Sequence, residues 1–399
     1  MTRRTAAEFH YISNAKTNVY LQKELDKGHI SKSDKDILLK FLSYKISFDD
    51  IGESRYKKIA THLVHWRRWI PEFTECTMDD VILGVQKLKT GKNQKDEDYS
   101  ANAIRDYISI LKMFLTWLKK KGYNDIDVSE LSDIRLPRKQ NKRKIVTFGE
   151  GDIDKLILAC TRQRDKAMIS LLYEGGFRIG EIGTMVWDQI QIDNYGIILR
   201  ENFKTGKMRT LRLVECKQDV LLWMNEYKAT IGEPVGDAPV FLNKQNEPHR
   251  YAGLKKHIRY LANKAGVTIQ FTPHSFRHTR VTDLRRQKVP DTVIGLMIWG
   301  DPNAEELKTY THMGFEDVNS TMLEYYNIIS PESRPAEPRM PRQCPECYEI
   351  NPSRAEFCNV CGEPLTKHAR EKLDRRIEKI KNKPEYNEVS DILMGEAQK

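Results

Sequence analysis

Residues 271–312 open on Phe-Thr-Pro-His274-Ser-Phe-Arg277-His-Thr, pass Trp299-Gly300, and close on Leu-Lys-Thr-Tyr310-Thr-His. Thr272 followed by Pro273 reads as a helix start, with Thr272 as the cap and proline at the first helical position. His274 and Arg277 then lie three apart on one face of the first turn. That end of a helix favours anions. A guanidinium fork grips a phosphate in two places, and an imidazole beside it can move a proton. A tyrosine in reach would be a nucleophile. Taken alone, the same residues are better read as a capping histidine, a surface arginine and a core tyrosine.

A second cluster upstream supplies the missing parts of one site. It reads Tyr173-Glu-Gly-Gly-Phe-Arg178-Ile-Gly-Glu181-Ile, followed by the hairpin pattern Phe203-Lys204-Thr-Gly-Lys207-Met-Arg-Thr-Leu-Arg-Leu. In this order the residues resemble the tyrosine recombinase, or phage integrase, family, whose signature is an Arg, a hairpin Lys, a His-x-x-Arg, a His or Trp, and a Tyr nucleophile. The resemblance runs from Thr147 to Ile329. It implies that Arg178, Lys204, His274, Arg277, Trp299 and Tyr310 are catalytic, with Lys204 the acid that protonates the leaving 5′ oxygen. Lys207 is its rival, since side-chain types cannot fix which ammonium reaches the phosphate. Many relatives have Leu-Gly-His where this chain has Ile298-Trp299-Gly300. An indole still donates one hydrogen bond but cannot shuttle a proton. Glu181, one turn behind Arg178, is placed to orient its guanidinium; the plain alternative is a surface salt bridge.

Length and composition bound the rest. A chain of 399 residues implies two or three domains, and a formal net charge of +10 gathered in runs favours a polyanionic partner. No apolar stretch is long enough to span a bilayer, and residues 1–30 lack the pattern of a signal peptide, so no membrane partner is expected. Together with the resemblance this predicts a cytoplasmic, nucleoid-associated protein of a prokaryotic or archaeal host.

The expected fold class is mainly α with a small antiparallel β-sheet (α+β). Residues 1–30 read as a helix or arm. Residues 31–133 read as a helical domain, with Tyr56, Ile59, Leu63, Trp66 and Ile70 on one helix that Pro71 stops, and a second helix capped by Ser100 or Asn102. By resemblance this is the core-binding domain that clamps DNA, and basic residues interleaved with Trp66 and Trp69 are candidates to follow its backbone. Residues 134–146 form a basic linker. The catalytic domain spans 147–330, beginning with a Thr147/Glu150 capping box and containing strands near 189–192, 196–200 and 209–214. Arg178, Glu181, Ile182 and Met185 are expected on one helix face. Tyr325 and Tyr326 read as structural, on a helix that in relatives docks onto the next subunit.

A Pro-rich linker (331–342) leads to Cys344-Pro-Glu-Cys347 and Cys358-Asn-Val-Cys361-Gly362. Paired Cys-x-x-Cys knuckles surround a tetrahedral Zn2+, and so short a module needs the metal to fold. Residues 343–366 therefore read as a zinc ribbon with structural zinc, followed by a basic helical tail (367–399). Cys76, Cys160 and Cys216 read as reduced core thiols.

The resemblance implies a site-specific DNA recombinase that cuts and rejoins duplex DNA through a 3′-phosphotyrosyl intermediate. It would need no ATP and no catalytic metal, and would act as a homo-oligomer, a tetramer on two DNA sites. The alternatives are a type IB topoisomerase-like nicking-closing enzyme and a catalytically inactive DNA-binding regulator.

Overall fold

The computed structural model describes residues 6–93, 96–138, 145–202, 208–310 and 340–382. The chain divides into two units at Lys144/Ile145, inside the segment expected as the basic linker.

The N-terminal unit is helical: α1 (Ala6–His10), α2 (Asn14–Asp26), α3 (Lys32–Asp49), α4 (Glu53–Trp66), α5 (Met78–Thr90), α6 (Ala101–Lys120) and α7 (Val128–Asp133). Leu21 of α2 shares one core with Leu38, Phe41, Trp66 and Phe114, so the helix before residue 30 packs with those after it. Ser100 caps α6 by accepting the Ala103 N–H at 3.2 Å. Helix α4 stops at Trp66, well before Pro71. Arg67 turns inward, its Nε donating to the buried Asp34 carboxylate at 2.5 Å, and Asp34 also accepts the Phe73 N–H at 3.1 Å. This pins the turn and still buries Ile70. Trp66 is fully buried, its indole donating to the Tyr107 carbonyl at 3.0 Å. Trp66 and Arg67 therefore serve the core, whereas Lys57 and Arg68 of the same stretch are exposed.

The C-terminal unit begins with α8 (Asp152–Ala159), α9 (Gln163–Glu174) and the short α10 (Ile179–Gly183). The expected Thr147/Glu150 capping box is not formed. Helix α8 starts after Gly151 in the left-handed region, and Asp152 itself accepts the Gly149 N–H at 2.9 Å. Helix α10 is also shorter than expected: Met185 lies beyond it, its carbonyl accepting the Val240 N–H. Strands β1 (Ile190–Asp193), β2 (Gly196–Asn202) and β3 (Met208–Leu213) form an antiparallel sheet in that order. Alternation buries Ile197, Leu199, Leu211 and Leu213. Helices α11 (Lys217–Thr230), α12 (Tyr251–Lys264), α13 (His274–Arg286) and α14 (Asp291–Trp299) follow, then a 3-10 helix Glu305–Tyr310. Buried α9 is the hub of this unit. Its terminal Glu174 carboxylate accepts the N–H groups of Val214, Glu215 and Cys216 at 2.6–3.0 Å, fastening the β3–α11 turn. The mainly helical architecture with small antiparallel sheets is the expected α+β class.

The C-terminal module pairs β4 (Arg342–Gln343) with β5 (Ile350–Asn351) and is followed by α15 (Lys367–Lys381), capped by Thr366. It docks on the start of α11 through charge. Arg354 Nη2 reaches both oxygens of Asp219 at 2.6 and 2.7 Å, Lys217 reaches Glu349 at 2.8 Å, and Glu215 accepts the Ser353 N–H.

Candidate active site

The Glu181 carboxylate on α10 gathers three guanidiniums. Arg178, at the N-cap of α10, donates through its backbone N–H to Oε2 at 2.7 Å and through Nη1 to Oε1 at 2.8 Å. Arg277 on α13 reaches Oε2 at 3.2 Å, and Arg209 on β3 reaches the same oxygen at 3.1 Å. Three guanidiniums thus converge on one carboxylate, a cluster of cationic donors of the kind that suits an anion. The Arg178 side chain is 40% exposed, Arg277 5% and Arg209 0%, so Arg178 presents most to an incoming group.

Local sequence explains the convergence. Gly175 and Gly176 break α9 so that the chain turns into Arg178. Gly176 sits at φ +55°, and a Cβ there would lie 2.6 Å from Ile298 Cδ1. A side chain there would be strained by the left-handed backbone and would have to displace the tip of Ile298. The Gly176 carbonyl accepts Arg277 Nε at 2.7 Å, fixing the guanidinium plane.

His274 is the first residue of α13 and is exposed. The cap differs from the one expected. Pro273 occupies the N-cap position with helical dihedrals, and Thr272 contributes its backbone N–H to Ser275 Oγ at 3.2 Å, with no side-chain cap. Desolvation by the surrounding protein, then the charges of Arg277 and Arg178, pull the His274 imidazole below its ordinary value, with Glu181 opposing. It is neutral at pH 7 and has a lone pair to accept a proton.

Trp299 ends α14 ahead of Gly300, a left-handed cap, and packs on the cluster of Val281, Leu284, Ile294 and Ile298. Tyr310 closes the 3-10 helix, and its side chain lies outside the described residues, as do Lys204, Lys207, His312, Tyr325 and Tyr326. The structure thus brings together Arg178, Glu181, His274, Arg277 and the α14 turn ending in Trp299.

Arg209 was not singled out by sequence. It is fully buried, donates through Nη1 to the carbonyls of Met297 and Ile298 at 3.0 and 2.8 Å, and stacks 4.7 Å from the Phe177 ring centroid. A period-two reading would have found it, because Arg209 shares its strand face with buried Leu211 and Leu213.

The four C-terminal thiols form a second candidate centre. Sγ atoms of Cys344, Cys347, Cys358 and Cys361 lie within 4.8 Å of one another, two cross-pairs at 3.5 Å. A tetrahedral metal with bonds of about 2.3 Å needs sulfurs roughly 3.8 Å apart, so the thiols fit a metal ion. Backbone turns shape both knuckles: the Tyr348 and Gly362 N–H groups return to the Cys344 and Cys358 carbonyls at 3.1 and 2.9 Å. Fully buried Asn351 donates to Cys358 Sγ and accepts the Asn359 N–H. Cys76, Cys160 and Cys216 are buried free thiols.

Residues 146–317 match the phage integrase family. Transposase A from transposon Tn554 of Staphylococcus aureus is 24% identical over 260 residues, 57% of this chain and 70% of that protein. Tyrosine recombinase XerA of Saccharolobus solfataricus is 28% identical over 266 residues, 65% of this chain and 82% of that one. Among solved structures, the XerH site-specific recombinase bound to palindromic difH substrate has a TM-score of 0.55 at 15% identity, covering 79% of this chain and 90% of its own. The Tn1549 transposon integrase in complex with circular intermediate DNA has a TM-score of 0.52 at 16% identity, covering 71% and 98%. These structural likenesses speak for the fold.

Proposed function

This chain belongs to the phage integrase family, the tyrosine recombinases, and from that premise we propose how its residues perform site-specific exchange of duplex DNA strands. It is an enzyme of DNA strand breakage and rejoining. In the proposed mechanism Arg178 and Arg277 bind one backbone phosphate and stabilise the charge that grows on it, the work a metal ion does elsewhere. Tyr310 Oη attacks phosphorus, the bond to the 5′ oxygen breaks, and Lys204 gives that oxygen its proton. His274, neutral, takes or orients the phenolic proton, and Trp299 donates one hydrogen bond from its indole. The 3′-phosphotyrosyl bond keeps the energy of the broken linkage, so a 5′ hydroxyl from another strand reverses the step without ATP. The carrying observation is that Arg178 and Arg277, distant in sequence, engage the two oxygens of one carboxylate.

The N-terminal helical unit supplies duplex binding in this reading, and the working assembly is a tetramer on two DNA sites. The four C-terminal cysteines hold structural zinc. The protein acts on the nucleoid of a prokaryotic or archaeal host, on DNA of a mobile element or of the replicon itself. No helix among the described residues is long and apolar enough to cross a membrane.

The test is a nicked suicide duplex carrying the recombination site, on which cleavage traps a denaturant-resistant protein–DNA adduct. Native protein forms it and Tyr310→Phe does not. An adduct with the Phe variant refutes the nucleophile assignment, and relaxation of supercoils without joining of two differently labelled duplexes would make the enzyme a topoisomerase.

A further inference from the structure

The proposed chemistry leaves one charged group of the site without a task. Arg209 has no exposed side-chain surface and so cannot touch DNA. A buried guanidinium costs several kcal/mol unless its hydrogens are matched, and here they are matched by groups of the site itself. One arm goes to Glu181 Oε2, the oxygen that Arg277 also uses. The other goes to the carbonyls of Met297 and Ile298, in the last turn before Trp299. Its guanidinium carbon lies 4.7 Å from the ring centroid of Phe177, next to Arg178.

We infer that Arg209 is a positioning residue for strand cleavage, anchoring Glu181 beside Arg178 and Arg277 and fixing the Trp299 turn against them. Glu181 Oε2 is shared between Arg209 and Arg277, so the clamp does not hold that oxygen alone. Without Arg209, Glu181 pairs with the clamp alone and competes with the phosphate for it. The inference rests on the reading of Arg178 and Arg277 as that clamp.

The experiment compares native protein, Arg209→Met and Arg209→Lys on two nicked suicide duplexes, one with the ordinary scissile phosphodiester and one with an uncharged methylphosphonate. Both variants bind duplex DNA with unchanged affinity. Arg209→Met forms the adduct about 100-fold more slowly on the phosphodiester, as expected for a misaligned reacting group. On the methylphosphonate the loss shrinks to less than about tenfold, because less charge needs stabilising. Arg209→Lys, keeping a cation, recovers part of the rate; if the Met variant does not fold, Lys against native on the two substrates decides the same question. Equal losses on both substrates, or none, overturn the inference. Failure of native protein to form any adduct on the phosphodiester instead overturns the recombinase reading.

Discussion

His274 stands where two guanidiniums outweigh one carboxylate, and its imidazole is held below the ordinary value by desolvation first and those charges second. A depressed histidine is unprotonated in the fold at pH 7 and stays so further into acid. Adduct formation therefore falls with an acid limb whose midpoint lies below about 6.5, the free imidazole value. Single-turnover rates across pH show that limb in native protein and not in His274→Gln; a limb that survives the substitution assigns it elsewhere. The linkage has the same sign. The unfolded chain takes up this proton first, so stability present above the ordinary value is lost as pH falls through it. At this scale the sequence was legible where partners are local. Arg178 and Glu181 are three apart, and their pairing followed from helical geometry. The Arg209–Glu181 contact was hidden because it crosses from a strand to a helix, and the caps at Thr147 and Thr272 gave way to Gly151 and Pro273.

Among elements, the docking of the cysteine module on α11 is carried by a few buried charges. Asp219 is 4% exposed and accepts Arg354 in two places and the Ser170 hydroxyl. Removing one partner of such a pair leaves the other charge stranded. Arg354→Ala should cost about 3 kcal/mol in the denaturant unfolding of the C-terminal unit. A change within error would mean that the contact adds nothing. This surface could not be read from sequence, since Glu215, Lys217 and Asp219 look like an ordinary solvated helix start. The three-stranded sheet was readable, because alternation and turn residues are local signals; the boundaries moved by a few residues where tertiary contacts decided them. Helix α4 is the clearest case, ended by a carboxylate from α3 and not by the proline.

For the molecule as a whole, a net charge of +10 pointed to a polyanion but to no particular surface, and Trp66 and Arg67 show why. Residues that look suited to a phosphate chain in one dimension are spent on a core in three. The docked module also ties two bookkeepings together. Its four thiols fit a metal ion, and its Ser353 and Arg354 grip the turn and helix start that Glu174 fastens to the helix leading into Gly175 and Gly176. Free metal then behaves as a stabilising ligand of the catalytic unit, worth about 2.7 kcal/mol when present at a hundred times its dissociation constant. Scanning calorimetry after dialysis against a chelator should show the C-terminal unit melting earlier, with recovery on adding Zn2+ and an unmoved N-terminal transition. A C-terminal transition indifferent to the chelator would mean the module rides along as a passenger. If it shifts, a cell starved of zinc would lose recombination through unfolding, although no ion takes part in the chemistry proposed for the phosphate.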